Sequence, residues 1–145
     1  PVVAAGGIVD GRGFAAAMML GAEAVQMGTR FLVAAECTVH DNYKQKVIVA
    51  KDIDSEVTGR GNGHPVRQIR NKLTREYLQM EKEGASLEEM EKLTLGSLRK
   101  AVVEGDVVSG TLMAGQIAGM VSREQTCAEM ITEIMEQAEV LLKLK

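Results

Sequence analysis

Pro1-Val2-Val3-Ala4-Ala5-Gly6-Gly7 is an uninterrupted apolar run closed by two glycines, and Ala22-Glu23-Ala24-Val25-Gln26-Met27 reads as a second short strand, closed by Gly28-Thr29. A continuous apolar run suits a strand covered on both faces, as in a parallel sheet. Between the two runs, Asp10 precedes Gly11-Arg12-Gly13 and the stretch Phe14 to Leu20, built mainly from Ala, Met and Leu. These are strong helix formers, and Asp10 stands where an N-cap belongs. Gly21 falls where a helix-terminating glycine belongs. Strand, glycine turn, helix, glycine stop and strand make one βαβ unit, which requires its strands to pair in parallel.

Parallel pairing places Gly6-Gly7 and Gly28-Thr29 at the same, C-terminal edge of the sheet. Barrels and open α/β folds bind their ligands at that edge. Glycine there lets backbone N–H groups come close to a phosphate, Thr29 adds a hydroxyl, and a short helix after it would aim its positive end at the same anion. Either glycine pair alone reads equally well as a tight turn. Two pairs, each ending a strand and flanking one helix, point to phosphate, and in (β/α)8 barrels the loops after strands 7 and 8 are the frequent phosphate site.

Downstream, Arg30 to Ala35 could form a short helix, and Asp41 could cap another running to Ala50. Asp52 to Pro65 reads as an irregular connection with room for one extended segment. Val66 to Lys100 reads as helical, broken near Gly84-Ala85-Ser86, with Ser86 and Glu89 spaced as a capping box. Gly105-Asp106 and Ser109-Gly110 mark turns. Ser122 and Gln125 suggest a second capping box before a last helix. That helix would carry Cys127, Met130, Ile131, Ile134, Ala138, Leu141 and Leu142 on one face, with Lys143 and Lys145 at its negative end. One strand pair cannot sustain a parallel sheet alone. Further strands are therefore expected upstream of Pro1 or in another chain, and the start without Met, already inside a core strand, carries the same expectation.

Composition removes several function classes. The 145 residues are 46% hydrophobic and 26% charged, ordinary for one globular domain, and the net charge of −3 offers no cationic excess for nucleic acid. No apolar run nears the ~18 residues of a membrane span, and the start lacks the features of a signal peptide. Cys37 and Cys127 form no CxxC pair and suggest reduced thiols in a cytoplasmic protein, with no metal cluster.

The wording of Pro1-Val-Val-Ala-Ala-Gly-Gly-Ile8 and Ala24-Val-Gln-Met-Gly-Thr-Arg-Phe31 resembles the nitronate monooxygenase (2-nitropropane dioxygenase) superfamily of FMN barrels. Gly63-His64-Pro65-Val66-Arg67, Asn71-Lys72-Leu73-Thr74-Arg75, Ala101 to Asp106 and Met113-Ala-Gly-Gln-Ile-Ala-Gly119 look like its flavin-dependent enoyl-(acyl-carrier-protein) reductase branch. The resemblance implies an α/β fold: the last two βα units of a (β/α)8 TIM barrel over residues 1–51, then a mainly helical C-terminal region over 52–145. It implies FMN held at its phosphate end by Gly6, Gly7, Gln26, Met27, Gly28 and Thr29. It places Met113 and Gln116 near the flavin and the acyl pocket, although helix packing accounts for them equally well. NADH or NADPH would be the reductant and an acyl-carrier-protein thioester the substrate, in a cytoplasmic homodimer of bacterial fatty-acid synthesis. The family's catalytic histidine belongs to the N-terminal half. His40 reads as a surface or capping residue and His64 as part of a turn, so no catalytic residue is assigned in this chain. The alternatives are a nitronate monooxygenase, and an inactive fragment or non-catalytic phosphate-binding domain.

Overall fold

A computed structural model describes residues 1–143. Lys145, expected at the end of the last helix, lies outside the described residues. The elements run β1 (Val3–Ala5), α1 (Gly11–Met19), β2 (Ala24–Gln26), α2 (Thr29–Leu32), α3 (Asp41–Ile48), β3 (Ser55–Thr58), β4 (Val66–Ile69), α4 (Lys72–Glu83), α5 (Leu87–Thr94), α6 (Ser97–Val102), a 3₁₀ turn (Gln116–Met120) and α7 (Cys127–Lys143).

The opening βαβ unit forms as the sequence requires. β1 and β2 pair in parallel, Val3 with Ala24, Ala4 with Val25 and Ala5 with Gln26. Asp10 caps α1 by accepting the N–H groups of Arg12 and Gly13, and Gly21 follows the helix with φ +97°. One face of this pair packs through Ala4, Val25 and Met27 against Ile8, Ala17 and Ala22. The expectation of strands covered on both faces is not met within the chain, because Val2 and Val3 remain 61% and 56% exposed. A two-stranded sheet with one helix has nothing to lay on its second face.

The region from 52 onward departs most from the sequence reading. Val66–Ile69 is a strand, not the start of a helix, and pairs antiparallel with Ser55–Thr58. Pro65 cannot donate a hydrogen bond, and Val66 and Ile69 are β-branched, so this segment favours extended backbone. Helix begins only at Lys72, where the Asn71 side chain accepts the Thr74 N–H. The break after α4 occurs at Gly84, with φ +78°, and Ser86 and Glu89 form the expected capping box of α5. The second capping box is misplaced: Thr126 and Glu129, rather than Ser122 and Gln125, exchange the capping bonds before α7. Likewise α3 is capped by His40, whose Nδ1 accepts the Asn42 N–H, and Asp41 is its first residue.

A single larger core gathers Val33, Tyr43, Val47, Leu112, Val121 and Met130. α7 turns back onto α1, and Gly11 permits their close approach. A Cβ at Gly11 would lie 2.4 Å from Gln137 Cβ and 2.6 Å from the Ile134 carbonyl oxygen. On α7, Met130, Ile134 and Ala138 are buried, while Ile131 and Leu141 from the expected apolar face are 52% and 40% exposed.

Candidate functional site

The exits of β1 and β2 lie side by side. The ladder ends at the Ala5–Gln26 pair, so Gly6-Gly7 and Met27-Gly28 follow the two strands from the same edge. Gly6 and Gly7 take φ values of +84° and +73°, which side-chain-bearing residues rarely adopt. A Cβ built on Gly6, Gly7 or Gly28 would meet nothing within 4 Å. The glycines are thus not spacers for internal packing. Their backbone borders open space, the arrangement a phosphate needs to reach N–H groups.

Thr29 follows and begins α2, whose first N–H groups have no partner within the helix. Thr29 is only 8% exposed, and its Oγ1 accepts the Gly115 N–H at 2.8 Å. The hydroxyl proton stays free to donate. That bond draws the 113–116 segment to the end of β2, and between them lies a cavity of about 460 Å³. Gly28, Thr29, Leu32, Tyr43, Arg67 and Met113 are among the residues lining it.

The cavity unites part of the expected site and leaves part outside. Gly28, Thr29 and Met113 line it together. Gly6 and Gly7 sit one strand away at the same edge. The Met27 side chain packs into the small core with Val25 and Ile8, so only its backbone reaches the edge. Gln26 is exposed, and Gln116 is exposed at the start of the 3₁₀ turn.

Two lining residues with polar side chains, Tyr43 and Arg67, were missed by the sequence reading. Tyr43 on α3 is buried, and its hydroxyl donates to the Met113 carbonyl at 2.6 Å. Burial pushes its pKa well above the ordinary phenol value, so the donor stays protonated. Arg67 on β4 is half-buried, donates to Ser55 Oγ at 2.9 Å and brings a positive charge to the cavity. It was hidden because its segment read as helix; the Pro65-Val66 step was the available signal. Open glycine backbone, a free hydroxyl proton and a guanidinium therefore fit the phosphate end of a flavin mononucleotide.

Other buried cations serve structure. Arg30 is held by the Arg123 carbonyl and the Gln125 side chain, and desolvation lowers its pKa despite the nearby Glu133 carboxylate. Lys44 Nζ donates to the Ala34 carbonyl at 2.8 Å and pairs with Glu124. His64 closes the β3–β4 turn, its N–H donating to the Gly59 carbonyl. Cys37 and Cys127 are free and half-buried. Among the described residues no group of His, Cys, Asp and Glu could hold a metal, and no helix is long and apolar enough to cross a membrane.

Known proteins resemble the chain in sequence and fold. The chain is 45% identical to FabK from Thermotoga maritima, with a TM-score of 0.93 over 99% of this chain and 45% of that one. It is 35% identical over 142 residues to a probable nitronate monooxygenase of Staphylococcus saprophyticus, covering 98% of this chain and 40% of the relative. It is 30% identical over 175 residues to a (3aS,4S,5R,7aS)-5-hydroxy-7a-methyl-1-oxo-octahydro-1H-indene-4-carboxyl-CoA dehydrogenase of Mycobacterium tuberculosis, covering 95% and 49%. The chain thus spans less than half the length of each. The nitronate monooxygenase family model matches residues 1–137, Gly6-Gly7, Gly28-Thr29 and the 113–116 segment included, and the chain belongs to that family.

Proposed function

We propose that the chain forms the last two βα units of a (β/α)8 barrel over residues 1–51, with a C-terminal region over 52–145 packed on them. In this reading it carries the FMN-phosphate end of an enoyl-(acyl-carrier-protein) reductase. The observation that carries the reading is the cavity in which Gly28 and Thr29 meet Met113 and Arg67. The backbone of Gly6, Gly7 and Gly28 would bind phosphate oxygens, Thr29 would donate its hydroxyl proton, and Arg67 would offset the charge. Tyr43 would hold the Met113 segment over the ligand through its carbonyl. FMN would supply the hydride-transfer chemistry there, between NADH or NADPH and the β-carbon of a trans-2-enoyl thioester, with a proton added at the α-carbon.

Two similarities favour a thioester reductase: the identity to FabK is higher than that to the nitronate monooxygenase, and a third relative is named for a carboxyl-CoA substrate. The family model itself supports a nitronate monooxygenase as the second reading. Anaerobic stopped-flow of the full-length flavoprotein separates them. Bleaching of the flavin band by NADH or NADPH, followed by recovery on adding a trans-2-enoyl thioester, is expected. A flavin that resists both nicotinamides but is reduced by a nitronate would replace the reductase reading with the monooxygenase one.

A further inference from the structure

A second cavity, of about 350 Å³, lies between the β3–β4 hairpin and helices α5 and α6 and shares Met113 and Leu98 with the first. Its wall is mixed. Leu87, Met90 and Leu98 supply apolar surface, and Gln68 supplies a polar group from β4. Gln68 is 5% exposed and donates through Nε2 to Thr58 Oγ1 at 2.9 Å, but its Oε1 is buried with no hydrogen-bond partner.

The neighbouring hydroxyls do not fill that need. Ser97 donates to the Thr94 carbonyl at 2.6 Å, which leaves Thr111 to donate to Ser97 across their 2.6 Å contact. Thr58 donates to the Val66 carbonyl. Gln68, a residue of the wall, thus carries an acceptor that these hydroxyls leave unmet. A plain hydrocarbon chain would keep Gln68 Oε1 unpaired, whereas an amide N–H or a hydroxyl would satisfy it.

The cavity adjoins the proposed flavin cavity at Met113 and Leu98, so a substrate whose reacting end meets the flavin there would carry its stem beside Gln68. We propose that this second cavity holds the pantetheine arm of the substrate, with Gln68 Oε1 accepting a hydrogen bond from one of its amide N–H groups. The proposal rests on the enoyl-thioester reading above. It names a part of the substrate common to acyl-carrier protein and coenzyme A.

Calorimetric titration of the FMN-loaded full-length protein with pantetheine tests the site without turnover. Wild type is expected to bind, and Gln68→Leu to bind about five- to tenfold more weakly through loss of one hydrogen bond. Leu87→Trp, a substitution at a half-exposed helix start, should block the cavity and abolish binding while FMN stoichiometry stays unchanged. Steady-state KM values for crotonyl-coenzyme A and crotonyl-acyl-carrier protein identify the carrier, the lower value marking the physiological source, and Gln68→Leu should raise both. No binding by wild type, or equal binding by wild type and both variants, overturns the inference even if enoyl thioesters are reduced. Binding that responds to both variants in a protein that reduces no thioester would uphold the arm site and remove the reductase reading alone.

Discussion

The Thr29 Oγ1 accepts the backbone N–H of Gly115 at 2.8 Å, joining two segments 86 residues apart in sequence. The approach is close enough that a Cβ at Gly115 would stand 3.3 Å from that oxygen. Thr29→Val preserves the shape and removes the acceptor, leaving the Gly115 N–H without its partner. Urea unfolding is expected to show a loss of about 1–3 kcal/mol. Flavin should also dissociate more readily, because the 113–116 segment loses its tie to β2. Thr29→Ser should restore most of both. Equal stability and flavin retention in the valine variant would show that the bond organises neither.

Tyr43 makes the second tie to this segment. Tyr43→Phe leaves the Met113 carbonyl without the phenol and should cost roughly 0.5–1.5 kcal/mol near neutral pH. The pH dependence has a definite sign. The folded state holds the Tyr43 proton more tightly than an unfolded chain, whose tyrosines titrate near ~10. The unfolded state therefore gains on ionising, and wild-type stability should fall as pH rises above that value toward the higher folded one. Tyr43→Phe should lack this component of the alkaline slope. Denaturant midpoints from pH 8 to 11 check it, and identical slopes would mean that the hydroxyl is accessible in solution.

Local rules exposed the start of the chain and much less of its middle. Asp10, Gly21 and the Ser86–Glu89 box act through neighbouring backbone, so their spacing sufficed to place them. The Val66–Ile69 strand depends on pairing with Ser55–Thr58 and on backbone bonds to Leu112 and Ala114, partners no short window contains. Arg67 and Tyr43 were lost with those long-range contacts. Thr126 displaced Ser122 as a cap because Gln125 is engaged elsewhere, bridging Ala34 and holding Arg30. Gly28 and Thr29 were legible as site candidates because a glycine beside a strand end is informative before any tertiary contact is known.

Gly28 offers a test of binding separate from folding. Its φ of −92° suits any residue, and the space beside it is open. Gly28→Ala should therefore leave the melting temperature of the apoprotein nearly unchanged. Gly28→Glu should do the same while placing a carboxylate where the phosphate is expected, and the purified full-length protein should lose its yellow colour. Flavin stoichiometry from absorbance after denaturation measures this directly. A Gly28→Glu protein that kept one FMN per chain would move the phosphate away from this strand end.

Gly11 tests the opposite case, a glycine whose space is already taken. A Cβ there would press on Gln137 Cβ, the Ile134 carbonyl oxygen and the Ala138 nitrogen, and two of these three are backbone atoms that cannot rotate away. The Gly11 N–H also donates to Gln137 Oε1 at 3.0 Å. Gly11→Ala must push α7 from α1 and is expected to cost about 1–3 kcal/mol, the range for overpacked interiors. Gly13, two residues along the same helix, would meet Ile8 alone, its Cγ2 at 3.3 Å and its Cα and Cβ at the ordinary contact distances of 3.5 and 3.7 Å. Alanine there gains up to about 1 kcal/mol of helix propensity against a small steric cost. Gly13→Ala should thus melt at or slightly above wild type, while Gly11→Ala melts several degrees lower in the same calorimetric scan. If Gly11→Ala melts with wild type, α1 and α7 are not held at this separation in solution.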